Sequence, residues 1–169
     1  VPALSDLEPD YCSVTYGAGG STREKTLQIV DRIQREHALP ALAHLTCIGS
    51  TREQIAEIAT QARALGIQNI LALRGDPPVG TAEWQKPEGG FEYAYELVRF
   101  LRTMGDFSIG VAGFPEGHLA CREGRKVDWD RLIAKIGYGA DFVLTQLFFD
   151  NNRYSELRET VLTVDQIVR

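Results

Sequence analysis

The feature that most constrains this chain is a repeat of short, nearly apolar runs at a spacing of roughly 30 residues, the length a βαβ unit needs. The runs are Tyr11–Gly17, Ala41–Gly49, Asn69–Asp76, Ser108–Glu116 and Asp141–Asp150, each bounded by Gly, Pro or Asp. Their length and apolar character predict buried strands. The segments between them have helical spacing. Leu27, Val30 and Ile33 share a face within Thr22–Glu36. Ile55, Ile58, Ala59, Ala62 and Leu65 form a second stripe that stops at Gly66, a natural helix-ending residue. Ala94, Leu97, Val98, Leu101 and Met104 precede Gly105, and Trp129, Leu132, Ile133 and Ile136 make a fourth stripe. Strands apolar on both faces, alternating with amphipathic helices, imply a parallel sheet covered by helices. An open doubly wound sheet and a closed (β/α)8 barrel both satisfy that pattern.

A length of 169 residues suggests one domain. A net charge of −5 argues against a nucleic-acid footprint, which needs clustered Lys and Arg. No apolar run approaches the ~18 residues of a membrane span. Val1–Asp10 lacks the basic start and apolar stretch of a signal peptide, so the expected location is cytoplasmic. Cys12, Cys47 and Cys121 have neither metal-ligand nor CxxC spacing, which fits reduced thiols. His37, His44 and His118 are far apart, and no HExxH or GxSxG occurs, so no metal site is expected. Gly20-Ser-Thr-Arg-Glu24 recurs as Gly49-Ser-Thr-Arg-Glu53. Each copy reads as a capping box, Ser21 with Glu24 and Ser50 with Glu53, at a strand-to-helix junction.

Alternation of side chains along strands sorts the polar residues. His44 and Thr46 share a face, as do Ser13, Thr15 and Gly17. Arg74 and Asp76 lie with Ile70 and Ala72, and Gln146 lies with Leu144 and Phe148. These polar groups fall in the C-terminal halves of the strands, where parallel α/β folds bind ligands. Singly, His44 reads as a core histidine, Arg74 with Asp76 as a strand-end ion pair, and Gln146 as a strand-to-strand bond. A buried His, Arg, Asp and Gln at matching heights instead favours a polar ligand site. Gly17-Ala-Gly-Gly-Ser21 opens a helix and can present N–H groups to a phosphate, although it is neither a P-loop nor GxGxxG. The long loop after Asp76 holds Trp84 and leads to Tyr93, either of which can serve as a ring platform or as plain packing.

Five motifs then match one family, in order and at its spacing. Ser13-Val-Thr-Tyr-Gly-Ala-Gly-Gly-Ser-Thr22, His44-Leu-Thr-Cys47, Leu71-Ala-Leu-Arg-Gly-Asp-Pro-Pro78, Gly89-Gly-Phe-Glu-Tyr-Ala94 and Thr145-Gln-Leu-Phe-Phe-Asp150 together resemble methylenetetrahydrofolate reductase. The resemblance covers nearly the whole chain. It implies a (β/α)8 TIM barrel carrying FAD at its C-terminal face, with residues 1–169 as one catalytic domain holding strands two to six. NADH or NADPH would reduce the flavin and leave. Hydride would then pass to 5,10-methylenetetrahydrofolate, giving 5-methyltetrahydrofolate for methionine biosynthesis. Carried over by motif, Thr15, Tyr16, Ala18, His44, Arg74, Gly75, Asp76, Tyr93, Ala94 and Phe114 line the flavin, and His118, Asp128 and Lys135 surround its ribityl and diphosphate part. Asp76 and Gln146 take the catalytic and folate-binding roles, and Thr15 and Gln146 also meet the nicotinamide. The resemblance further implies a homo-oligomer acting on small molecules, with no nucleic-acid or membrane partner.

Departures from the family pattern are also visible. Phe114 replaces a Tyr, His118-Leu-Ala120 replaces His-Pro-Glu, and Arg131 and Ala134 stand where Asn and Arg are common. The match is ragged after Tyr154. Glu159-Thr-Val-Leu-Thr163 runs straight into a helix expected at Val164–Arg169, so a strand is expected to be missing after residue 158. The family's general-acid glutamate belongs on a strand that would precede Val1. Glu8 and Glu24 lie in the wrong context to replace it. Two rival readings follow: a flavin- or folate-binding module of the same fold without catalysis, and a related tetrahydrofolate-dependent methyl-transferring enzyme.

Overall fold

The computed structural model describes residues 6–15, 23–76 and 86–168. Among these residues five strands alternate with five helices: β1 (Cys12–Val14), α1 (Arg23–His37), β2 (Ala41–Thr46), α2 (Arg52–Ala64), β3 (Asn69–Leu73), α3 (Ala94–Met104), β4 (Ser108–Gly113), α4 (Arg125–Gly137), β5 (Phe142–Thr145) and α5 (Asn151–Val168). The strands form one sheet in the order β1-β2-β3-β4-β5, every pair parallel. Neighbours in sequence are neighbours in space, so the order never reverses as it does in an open doubly wound sheet. The sheet curls into a half-barrel, part of a (β/α)8 barrel.

The register sorts every strand residue onto one of two faces. Ala41, Ala43, Leu45, Cys47, Ile70, Ala72, Ile109 and Val111 turn toward the helices and share a core with Val30, Ile33, Ile55, Ala59, Leu97, Leu101 and Leu132. Burying each larger aliphatic side chain there contributes about 1.5–3 kcal/mol. The opposite, concave face carries Ser13, Leu42, His44, Leu71 and Phe142. Gly110 lies opposite Phe142 on that face. A Cβ on Gly110 would stand 2.4 Å from Phe142 Cε2, so the glycine makes room for the ring.

Three expectations change. The strands stop earlier than their apolar runs, β3 at Leu73 rather than Asp76 and β5 at Thr145 rather than Asp150, because the chain turns away once its ladder partners end. The second capping box is formed one residue later than expected. Thr51 Oγ1 accepts from Gln54 N at 3.3 Å and Gln54 Oε1 accepts from Thr51 N at 3.0 Å, whereas Ser50 donates to the Ile48 carbonyl. The first box, Ser21 with Glu24, lies outside the described residues. The helix expected at Val164–Arg169 begins earlier than expected: α5 starts at Asn151 and takes in Glu159–Thr163, with no strand between Tyr154 and Val168. Leu157 and Val161, one helical turn apart, pack inward and set that choice. Cys12, Cys47 and Cys121 are all free thiols.

Candidate functional site

The polar residues singled out from the sequence lie toward the C-terminal end of the sheet, at different positions along their strands and not on one face. His44 is level with Leu71, Gly110 and Phe142. Gln146 stands four residues beyond Phe142 (142 to 146), about 13 Å further along at roughly 3.3 Å per residue. Arg74 follows Leu73, and by alternation it belongs with the helix-facing residues, opposite to His44. Arg74, Asp76 and Gln146 are exposed, so of these four only His44 is even half-buried. Three of the four therefore stand on the segments that leave the strands, rather than on one strand face.

β2 supplies the deepest group. His44 Nε2 meets Ser13 Oγ of β1 at 2.5 Å across the concave face. Burial lowers the imidazole from its ordinary value, so the neutral ring is favoured at pH 7. Thr15 follows β1 directly and is exposed. Tyr16, Ala18, the glycine-rich stretch Gly17–Ser21 and Trp84 lie outside the described residues.

The end of β3 is fixed by steric fit. Gly75 has φ +85°, and a Cβ there would lie 2.7 Å from Ile48 Cγ2 and 3.0 Å from Thr46 Cβ. Both the backbone conformation and the close approach exclude a side chain. Ile48 N also donates to the Arg74 carbonyl at 2.9 Å, continuing the ladder one step past the strands. The Arg74 side chain then reaches across the mouth. Its Nε donates to the Glu92 carbonyl at 3.1 Å, and its guanidinium lies 6.0 Å from the Tyr93 ring centre. Asp76 follows at the outer end of this turn, exposed.

Tyr93 and Ala94 are held at the start of α3 by Glu96, whose carboxylate accepts from Glu92 N at 2.6 Å and Tyr93 N at 3.0 Å. A hydrogen bond to the neighbouring Glu92 carboxylate raises the Tyr93 phenol. Tyr93 stacks on Tyr95 at 5.8 Å, so the ring has a partner already. The chain before it is anchored through Phe91, which is fully buried. Thr51 and Gly90 form an antiparallel bridge, and Arg52 covers the Phe91 ring at 4.7 Å.

Past β4, the Phe114 carbonyl accepts from Trp129 Nε1 at 3.0 Å, and its ring meets the edge of His118 at 4.5 Å. His118 N donates to Asp128 Oδ2 at 3.2 Å, while its Nδ1 accepts from Ala120 N at 3.0 Å. Gln146 N donates to the Gly113 carbonyl at 2.8 Å, and its Oε1 accepts from Leu147 N at 3.1 Å. Ser13 is placed on a polar strand face by the sequence but given no role there, and Glu92 and Glu96 are not singled out. The alternation that puts Ser13 on the face of Thr15 was the available signal for Ser13; nothing local marks Glu92 or Glu96.

Lys135 of α4 is partly buried and donates from Nζ to the Ala112 carbonyl at 2.7 Å. Burial pushes its ammonium down to about 8, against the opposing pull of the Asp128 charge. An unfolded lysine keeps its proton up to about 10.4. Between those values the unfolded chain binds more protons, so stability rises with pH from about 8 upward and is reduced below that window. Lys135→Met, which keeps the apolar stem, is expected to be more stable at pH 7 by about 1–3 kcal/mol and to lose the alkaline rise. Urea melts of both proteins at neutral and alkaline pH measure this; equal pH slopes would contradict it.

Among the described residues no group of three His, Cys, Asp or Glu is placed to hold a metal ion. No helix among them is long and apolar enough to cross a membrane.

Comparison with known proteins adds the following. The family model for methylenetetrahydrofolate reductase matches residues 1–166. A 5,10-methylenetetrahydrofolate reductase of Pectobacterium carotovorum subsp. carotovorum is 42% identical over 159 residues, covering 94% of this chain and 51% of the relative. The Escherichia coli (strain K12) enzyme of that name is 39% identical over 159 residues, with the same coverage of 94% and 51%. A methylenetetrahydrofolate reductase (NADH) 1 of Arabidopsis thaliana is 43% identical over 159 residues, covering 88% of this chain and 27% of the relative. The chain thus spans about half the length of these bacterial relatives and about a quarter of the plant one. Among solved structures, a putative lyase/mutase from Burkholderia cenocepacia J2315 superposes with a TM-score of 0.66 at 15% identity, over 94% of this chain and 60% of that one. At that identity the likeness speaks for the fold alone.

Proposed function

Because the chain belongs to the methylenetetrahydrofolate reductase family, we propose that residues 1–169 form most of the flavin-bearing face of an FAD-dependent reductase. In this reading NADH or NADPH and 5,10-methylenetetrahydrofolate take turns at one site, and 5-methyltetrahydrofolate is the product. The observation that carries the proposal is the built mouth of the half-barrel. Gly75 is pressed onto the end of β2, and Arg74 is tied from there to the start of α3 beside Tyr93. A backbone held that close leaves a flat, side-chain-free edge suited to a planar ring.

The donor set fits FAD. Lys135 is a partly buried cation whose charge is disfavoured where it sits. A diphosphate beside it would stabilise the ammonium, as charge-assisted bonds to phosphate do. Asp128 is tied to His118 N, which keeps the loop after β4 next to α4, where that group would lie. Thr15, His44, Arg74 and Gly75 would hold the ring system, with Phe114 offering a ring face but no hydroxyl. Bound FAD would supply the hydride chemistry. Gln146, at the outer level of β5, would orient each substrate in turn, and Asp76 would hold the pterin through its N–H groups. No residue of this chain is assigned proton donation to the folate.

The direct test is to purify the protein and measure flavin absorbance and NAD(P)H oxidation with methylenetetrahydrofolate. A yellow protein that consumes NAD(P)H only when folate or another acceptor is present is the expected result. A protein that takes up no FAD would overturn the proposal. In His44→Ala, flavin is expected to be lost about tenfold faster on dilution, since one hydrogen-bonding ring is removed. Unchanged flavin loss would take His44 out of the site.

A further inference from the structure

We propose that Ser13 is a positioning residue for His44: its hydroxyl donates to Nε2, puts the imidazole proton on Nδ1, and so turns Nδ1–H into the group that meets the ligand. The inference rests on the flavin reading of the site and adds to it a residue and a tautomer. Its basis is the contact of 2.5 Å between Ser13 Oγ and His44 Nε2, which joins two adjacent strands across the concave face. Ser13 is paired in register with Leu42, two residues before His44, so the imidazole leans back along β2 to reach it. With Nε2 occupied, any hydrogen bond from the ring to a bound molecule must come from Nδ1. A neutral imidazole carries one N–H, and the nitrogen that keeps it is set by the bond the other nitrogen makes. Burial favours that neutral form. A serine hydroxyl donating to Nε2 therefore leaves a donor on Nδ1, suited to a carbonyl oxygen or ring nitrogen of a planar heterocycle. A short side chain on one strand thereby sets the chemistry offered by its neighbour. Both groups sit on strands rather than loops, which holds the geometry through ligand exchange.

Nitrogen-15 NMR of labelled histidine tests this on the purified, flavin-containing protein. The chain has three histidines, and His44 is identified by the signal lost in His44→Gln. The expected result is an Nδ1–H tautomer for His44 in the native protein. In Ser13→Ala that signature is expected to give way to Nε2–H, with flavin lost about tenfold faster on dilution. Ser13→Thr, which keeps the hydroxyl, is expected to restore both. An Nε2–H tautomer in the native protein overturns the proposal. So does a Ser13→Ala protein whose His44 signature and flavin loss are unchanged, or a Ser13→Thr protein that is folded but behaves like alanine. If the native protein binds no flavin yet shows an Nδ1–H signature that Ser13→Ala abolishes, the serine–histidine pairing stands and the flavin reading fails.

Discussion

Phe91→Ala is expected to destabilise the fold by about 3–5 kcal/mol. Phe91 has no solvent exposure and belongs to the hydrophobic core shared by helices and sheet. Its ring meets the edge of Phe100 at 5.4 Å and carries the Arg52 guanidinium at 4.7 Å on another side. Alanine would remove the buried ring, both aromatic contacts and the reason for Arg52 to lie there. Collapse around the cavity is restricted, because Thr51 and Gly90 bridge at the same place. A Cβ on Gly90 would already stand 2.7 Å from the Ser50 carbonyl, so there is no slack in that approach. The effect reaches the site as well. Glu92, the next residue, supplies the carbonyl that Arg74 binds, and loosening it frees Arg74 from the mouth. Urea unfolding measures the stability. A loss below about 1 kcal/mol would show that the ring does not anchor this stem. Phe91→Leu, which keeps most of the buried volume, is expected to retain more than half of the lost stability.

Asp76→Asn is expected to slow the folate half-reaction about 100-fold while leaving the FAD content at purification unchanged. The reason is charge with shape preserved. Asparagine keeps the size and one acceptor of the carboxylate but removes the negative charge that would bind pterin N–H groups and respond to charge building up during hydride transfer. A fixed charge at such a position is commonly worth two to three orders of magnitude in rate. Asp76 follows Gly75, whose position is locked against Thr46 and Ile48, so the turn that presents the side chain should survive the substitution. A negative charge near the flavin also disfavours its reduced, anionic form. The variant's flavin is therefore expected to have a higher reduction potential. Stopped-flow reduction by NAD(P)H, reoxidation by methylenetetrahydrofolate and a potential titration separate these effects. Folate turnover equal to that of the native protein would remove Asp76 from its role.

The fold was legible in the sequence because its rule is local. Apolar runs of strand length alternate with stripes such as Leu97, Val98 and Leu101, and each pattern reports on which side of a segment is buried. The ends of elements were less legible, since they depend on partners. β3 stops at Leu73 because its pairing with β4 ends at Ala72 and Gly75, at φ +85°, leaves the extended conformation two residues on. The capping box moved from Ser50 to Thr51 for a similar reason: Ser50 is fully buried, where its hydroxyl serves the Ile48 carbonyl.

The candidate site divides along the same line. Motifs picked out His44, Arg74, Gly75, Asp76, Tyr93 and Gln146 as a set, and the structure puts them at one end of the sheet. Alternation alone misjudged how they meet, since it assigns faces only while a strand lasts. Register, a property of pairs of strands, puts Gln146 four residues further along its strand than Phe142, the β5 residue in line with His44. The Arg74 side chain reaches the Glu92 carbonyl, eighteen residues on. The periodicity of the sequence by itself therefore determined a parallel α/β sheet, its helix-facing core and the placing of polar residues near the strand ends. Those follow from the period of side chains along a single segment. The choice of a barrel over a doubly wound sheet came from the motif resemblance and the unbroken strand order. Tertiary structure decided which nitrogen of His44 faces Ser13, where each strand ends and how far apart the polar groups stand. Such features arise only when separate segments pack, because contact distances between strands are not encoded in the periodicity of either one.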